Sequence, residues 1–271
     1  MRLLPLFFVA SLCCGRPITE YLIESCQKGD TNGIKKAAYN VDDYKDFDTC
    51  DESGLPPLFI IFSSAENSGK QLEHVKLLSY YGARFSVTNA QGLPFLSFFA
   101  GLALSGDVSY DIVQETLASA DYKDFKAIDA TEGNFLHFIF QQPLSNKTQL
   151  VLSRFFWVHN SIKIWRQADS FGNTPFYYFV KQLENDPDAL TREQKVELVK
   201  LIAFNTPSNF EVSKSGQSIL TLKSPEHVKD QTPKKLRKKT PESRRPLPAI
   251  QVEMPISSEL MEVFREVYLF R

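Results

Sequence analysis

The chain has 271 residues, 31 of them basic and 32 acidic, so its formal net charge is −1. Apolar residues make up 43% of the chain, enough to build a core, and this excludes a wholly disordered protein. Twelve glycines and four cysteines exclude a collagen-like chain and a disulfide-dense miniprotein. The dominant aromatic is Phe, with 22 copies against 10 Tyr and 2 Trp, so the fold must use Phe as its main filler.

Residues 1–15 have the layout of a secretory signal peptide. Arg2 precedes an apolar run that ends at Cys14, and polar residues begin at Arg16. The run is shorter than the roughly 20 apolar residues that a membrane span requires. We therefore expect a cleaved leader and a secreted or exported protein. An N-terminal helix packed on the first structural unit, in a cytoplasmic or membrane-anchored protein, is the alternative.

Two independent signals repeat along the chain at a period of about 40 residues. The string DYKDF occurs at Asp43–Phe47 and again at Asp121–Phe125, 78 residues apart. The second signal is an Asp or Asn that is followed by Gly three or four residues later and then by an apolar run. Its copies begin 38, 40, 40 and 44 residues apart, the last being weaker, at Asp51, Asn89, Asp129, Asp169 and Ser213. The glycine of the Asp129 copy comes one place late.

Each copy predicts a turn followed by two helices. Asx and Gly favour the turn because they tolerate positive φ. An aromatic-rich first helix is expected near 57–63, 95–104, 135–142 and 175–183, and a second helix with apolar residues at helical spacing follows each. Thr191 and Gln194 have the spacing of a capping box at the last second helix. A turn and two helices, repeated, are typical of an α-solenoid.

The chain resembles the ankyrin-repeat family in these motifs. Gly172-Asn-Thr174-Pro175 is similar to the opening of that family's unit, and Leu77-Leu78-Ser-Tyr-Tyr-Gly82-Ala83 is similar to its closing motif. The resemblance covers about residues 17–222 and implies an all-α solenoid that binds proteins without catalysis. Because the unit is about 40 rather than 33 residues long, we expect longer loops within each repeat. A different helical-pair repeat of 40–47 residues is the alternative.

The domain order that follows is a leader at 1–15, about five repeats at 16–222, a basic disordered linker at 223–256 and an amphipathic C-terminal helix at 257–271. Residues 1–222 carry 20 basic and 25 acidic groups, whereas 223–245 carry nine and three. The linker centre could contact an anionic surface through Lys234, Lys235, Arg237, Lys238 and Lys239. A solvated basic linker is the plainer interpretation. The C-terminal stripe is expected to cap the repeats or to bind a partner groove.

The sequence contains no recognisable catalytic constellation. The four histidines lack ligand spacing to Cys or to each other, and His137 occupies a place where the resembled family has a structural His. Cys26 and Cys50 could pair after export or act as small buried hydrophobes. We expect no enzyme activity, no cofactor, no metal and no nucleic-acid partner.

The resulting hypothesis is a monomeric protein-interaction scaffold, exported from the cell. The alternative is a membrane-associated adaptor held by an uncleaved N-terminus and the basic tail, and an enzyme with an unrecognised site is the least favoured hypothesis. The loop tips between repeats are expected to bind the partner through exposed aromatics beside cations. These candidate partner-binding residues are Arg84, Phe85, Lys123, Phe125, Lys163 and Trp165. The open alternative is that the three aromatics pack between adjacent tips.

Overall fold

The computed structural model describes residues 18–41, 43–158, 164–165, 167–205, 209–212, 220–223, 250–251 and 257–269. The chain divides into two compact units, Met1–Ile139 and Phe140–Arg271. The described residues are mostly helical, which confirms the all-α class. In the first unit the helices are α1 (Ile18–Gln27), α2 (Thr31–Tyr39), α3 (Pro57–Ser63), α4 (Gln71–Tyr80), α5 (Phe95–Ser105), α6 (Tyr110–Ser119) and the start of α7 (Phe135–Gln141). The second unit follows with α8 (Asn146–Val158), α9 (Pro175–Asn185), α10 (Arg192–Asn205) and α11 (Ser258–Leu269).

Consecutive helices are joined alternately by short and long connections. Only 106–109 separate α5 from α6, and only 142–145 separate α7 from α8. Long connections such as 81–94 and 120–134 instead lead from a second helix to the next first helix. The expectation of long loops within each repeat is therefore wrong, because the extra residues lie between helix pairs.

Within each unit, helices that hold the same place in their pairs, first or second, pack on each other. In the first unit α1 packs on α3, α2 on α4 and α4 on α6, while α1 with α2 and α3 with α4 form close pairs. In the second unit α8 packs on α10. These contacts join elements that are near neighbours in the series, as in a repeat protein.

Phe side chains fill the interior, as the composition predicted. The four first helices α3, α5, α7 and α9 contain ten Phe residues. Seven of them are buried, and Phe62, Phe98 and Phe138 are half-buried. The rings of Phe59 and Phe62 on α3 contact the rings of α5, with centroids 5.0–5.9 Å apart; the α5 rings are those of Phe95, Phe98 and Phe99. Edge and offset contacts of this kind add to the area that aromatic rings bury.

The weak fifth copy at Ser213 does not begin a helix pair in the described residues. A small antiparallel sheet contains β1 (Asn209–Val212), β2 (Leu220–Lys223) and β3 (Ile250–Gln251), in that order. Leu220 and Leu222 alternate with Thr221 and Lys223, a period of two that favours a strand over a helix. Ser213 itself lies outside the described residues, and the described segment that follows it is a strand rather than a helix.

The C-terminal helix α11 packs on α10 through its apolar stripe. Ser257 caps it, because its Oγ accepts the Leu260 N–H at 3.3 Å. The capping box at α10 is also confirmed: Thr191 N–H donates to Gln194 Oε1 at 2.8 Å, and Gln194 N–H donates to Thr191 Oγ1 at 3.3 Å.

Several predicted features lie outside the described residues. These are the leader at 1–15 and the linker centre at Lys234–Lys239. Of the expected linker, Lys223 ends β2 and Ile250–Gln251 form β3. Among the residues that the structure does describe, no helix is both long enough and apolar enough to span a membrane.

Candidate functional site

Four turns with the same hydrogen bonds recur at the copies of the second signal. In each turn the side-chain Oδ1 of the opening Asp or Asn accepts hydrogen bonds from the backbone N–H groups two and four residues later, at 2.7–3.1 Å. The residues that supply this oxygen are Asp51, Asn89, Asp129 and Asp169. A first helix begins at the sixth residue after each of them. The Asx signal in the sequence is therefore one structural device, used four times in the described chain.

The residue three places after each Asx has positive φ. Glycine fills this place in three turns, with φ of 78° at Gly54, 76° at Gly92 and 79° at Gly172. In the Asp129 copy the place belongs to Glu132, with φ of 61°, because its glycine, Gly133, comes one residue later. The one-place shift in the sequence thus forces a non-glycine residue into the left-handed region.

An aromatic residue stands four places before each Asx, and its side chain is buried. These residues are Phe47, Phe85, Phe125 and Trp165. Phe85 packs against Phe95 with ring centroids 5.8 Å apart, and Phe125 packs against Phe135 at 5.1 Å. In the second unit Trp165 stacks on Phe156 at 5.8 Å with an interplanar angle of 7°.

The prediction that Phe85, Phe125 and Trp165 are exposed binding residues is therefore wrong. Each ring is at least 95% buried, and each packs on a Phe of an adjoining helix. A buried ring contributes to stability rather than to partner contact. Both copies of DYKDF also end in such a ring, at Phe47 and Phe125, which gives that repeated string a structural explanation.

The predicted cations of the tips have different outcomes. Arg84 and Lys123 are exposed, whereas Lys163 lies outside the described residues. Burial raises the pKa of Asp48, and the nearby Arg84 guanidinium opposes that rise. Burial likewise raises the pKa of Asp124, against hydrogen bonds from the Asp121 backbone and from Ser86. Both described cations are thus exposed to solvent, without the exposed aromatic rings expected beside them.

His74 belongs to a buried polar network that no sequence motif indicated. Asn67 Nδ2 donates to the Cys26 carbonyl at 2.8 Å, which leaves Asn67 Oδ1 to accept from His74 Nδ1–H at 2.7 Å. The Thr31 hydroxyl then donates to His74 Nε2 at 2.8 Å, so this assignment gives a neutral ring. Burial lowers the pKa of His74, which favours the same neutral form. The network joins α1, α2 and α4 and has a structural role.

The remaining candidate reactive groups are also structural. His137 is fully buried, and its Nδ1 accepts the Asn134 N–H at 3.1 Å, at the start of α7. Cys26 and Cys50 are both free thiols, and burial raises the pKa of Cys26 to about 12, which makes it a poor nucleophile. Across the described ranges, no group of three or more His, Cys, Asp or Glu side chains is placed to hold a metal ion.

Three tyrosines, two of them exposed and one half-buried, form a cluster on the first unit, at the ends of α2 and α4. Tyr39 is 74% exposed and Tyr80 is 82% exposed. Tyr81 lies between them, with its ring edge-on to Tyr39 at 6.4 Å and to Tyr80 at 5.1 Å. We call Tyr39, Tyr80 and Tyr81 the tyrosine cluster. Mutual edge contacts hold large rings in place, which lowers the entropy that a partner must remove on binding.

The exposure of Tyr39 could have been predicted from the sequence, by comparison with the apolar stripe of its helix. The buried stripe of α2 is Ile34, Ala37 and Ala38, and Tyr39 lies beside it rather than in it. Trp157, in the second unit, is likewise outside the buried stripe of α8 and is 82% exposed. Aromatics that fall off a helix's apolar stripe are the ones that face solvent.

Comparison with protein-family models finds no family that matches this chain, and comparison with curated proteins finds no match either.

Proposed function

We propose that the chain is a non-enzymatic protein-interaction scaffold built from ankyrin-like helix-pair repeats. Two observations support the repeat. Four turns share one hydrogen-bond pattern and one offset to the next helix, and helices of the same kind pack on each other within each unit. Repeats of this kind present side chains along extended surfaces, which suits them to protein partners.

The observation that supports protein binding best is the tyrosine cluster. A large aromatic ring that is mostly exposed forgoes the stabilisation that burial would give it. Tyr39 and Tyr80 both do so, and Lys35 and Lys36 lie one helical turn before Tyr39 on the exposed face of α2. Tyrosine is one of the residues that most often contribute strongly to protein interfaces.

The test compares partner capture by the wild-type chain and three variants. We expect the wild-type protein to capture a set of proteins from its own source that the Tyr39→Ser/Tyr80→Ser variant loses by tenfold or more. Arg84→Ala/Lys123→Ala tests the tip cations separately, and Glu52→Ala/Gln91→Ala is the matched control at exposed turn positions. All three variants should retain the wild-type circular dichroism spectrum. Unchanged capture by the tyrosine variant would contradict the proposed surface.

We further propose export through residues 1–15, on the residue pattern alone. Sequencing the N-terminus of the native protein tests this. A start at Arg16 supports secretion, whereas a retained Met1 favours the membrane-associated adaptor.

A further inference from the structure

The C-terminal helix α11 covers an apolar face that α9 and α10 present in the second unit. Five side chains of α11 are buried there: Leu260, Met261, Val263, Phe264 and Val267. The ring of Phe264 meets the ring of Phe176 on α9, with centroids 6.3 Å apart at 63°. The face therefore accepts one amphipathic helix, and α11 is the helix that occupies it.

Polar contacts surround this apolar seam and set how α11 lies. The Lys195 ammonium, on a side chain only 6% exposed, pairs with Glu259 at 3.1 Å, and Arg192 pairs with Glu266 at 3.2 Å. At the helix start, the N–H and Oγ of Ser257 donate to Glu184 Oε1 at 2.8 and 3.0 Å. The two cations of α10 thus pair with carboxylates that lie seven residues apart on α11, along one side of the apolar stripe.

The free energy of docking α11 is a balance of opposing contributions. A 12-residue helix is marginal in water, so α11 depends on docking for its own order. The gain from five buried apolar side chains is of the same order as the backbone conformational entropy that is lost when the 12 residues of the helix are ordered. Glu259, the partner of the buried Lys195, is 62% exposed, and both members of the Arg192–Glu266 pair are exposed to solvent, so neither pair is a strong tie. A competing helix with a similar pattern has to overcome only the difference between these contributions.

We propose that the face formed by α9 and α10 is a binding site for an amphipathic helix of a partner protein, and that α11 occupies it in cis as an autoinhibitory segment. The partner helix presents a stripe of Leu, Val or Phe, with acidic residues along one side of it that meet Lys195 and Arg192. The site lies in the second unit and does not depend on the tyrosine cluster. Loss of capture by the tyrosine variant and failure of this site are therefore separate results.

The experiment uses a fluorescent peptide with the sequence of residues 256–271 as the probe, added to the full chain. In the wild-type protein α11 competes with the probe, so the apparent affinity is reduced by the fraction of chains with an open site. Val263→Asp/Phe264→Asp undocks α11, and we expect it to bind the probe at least tenfold more tightly. Glu262→Ala, on the exposed side of the same helix, is the matched control and should bind as the wild type does.

Two further arms identify what the site recognises. A probe with both Glu259 and Glu266 changed to Lys should lose at least tenfold in affinity for the undocked variant. The proposal is overturned if the undocked variant, shown to be folded by circular dichroism, binds the probe no better than the wild type. It is also overturned if light scattering shows that wild-type copies exchange α11 into a dimer, because the occupant is then a second copy of the chain.

Hydrogen exchange of the wild-type protein gives a test that needs no variant and so does not depend on whether a variant folds. If α11 opens on its own, its amides exchange at least tenfold faster than the central amides of α10. Equal protection of the two helices would mean that α11 is a permanent part of the core and would contradict the autoinhibitory role.

Discussion

The positive-φ place of the four Asx turns allows a prediction that separates backbone strain from packing. Glu132 occupies this place in the Asp129 turn, and its side chain is exposed. A non-glycine residue in the left-handed region is destabilised by roughly 1–2 kcal/mol of strain. Glycine relieves this strain but loses roughly 0.5–1 kcal/mol more conformational entropy on folding. Glu132→Gly should therefore stabilise the protein by about 0.5–1 kcal/mol.

The glycines of the other turns provide matched controls. A Cβ at Gly92 or Gly172 would meet nothing within 4 Å. Gly92→Ala and Gly172→Ala should therefore each lower the unfolding free energy by about 1 kcal/mol, through backbone strain alone. A Cβ at Gly54 would overlap the Cβ of Ala90 in the next turn, so Gly54→Ala should lose roughly 1–3 kcal/mol more through overpacking.

Thermal and urea unfolding, followed by circular dichroism, measure this series. For a protein of this size, 1 kcal/mol shifts the Tm by about 2–4 °C, so Glu132→Gly should raise the Tm by about 1–4 °C. Gly54→Ala should lower it more than Gly92→Ala does. The reasoning is refuted if Glu132→Gly lowers the Tm, or if Gly92→Ala and Gly54→Ala have equal effects.

Three further predictions concern the core. Phe125→Ala should cost about 3–5 kcal/mol of unfolding free energy, measured by urea unfolding. A variant with wild-type stability would contradict the burial of Phe125. Phe176→Ala should cost about as much, whereas the half-buried Phe138→Ala should cost less, and equal losses would contradict their different burial. Because the folded pKa of His74 lies below its unfolded value of 6.5, the unfolded chain binds the extra proton, and stability falls as the pH drops below 6.5. Between about pH 7.5 and about pH 5.5 the wild-type Tm should fall more than that of His74→Gln, which cannot titrate; parallel curves would exclude His74 as the titrating group.

Much of the helical architecture could be predicted from the sequence because its signals are local. The Asx turn depends on a side chain two to four residues from its partners, and the capping box at Thr191 and Gln194 spans three residues. The spacing of the Asx signals along the chain gives the period of about 40 residues directly. Similarly, the alternation at Leu220 and Leu222 indicates β2 more directly than the weak fifth copy indicates a helix pair.

The burial of the tip aromatics could not be inferred from helical periodicity because these residues lie outside the main helices. Phe85 and Phe125 are flanked by cations, a pattern that both exposed hot spots and packed loops can show. Their constant distance of four residues before each Asx was the available signal, since a position retained through every copy faces the same neighbours each time. Exposure of Tyr39 and Tyr80 required the opposite comparison, with the apolar stripe of their own helices.

Hydroxyl-radical footprinting of the free protein and of the captured complex tests most directly whether binding occurs through the tyrosine cluster. We predict that Tyr39 and Tyr80 are labelled strongly in the free chain and are protected at least tenfold in the complex. Phe85 and Phe125 should be labelled weakly in both states because they are buried. Equal labelling of Tyr39 and Tyr80 with and without the partner would contradict the account.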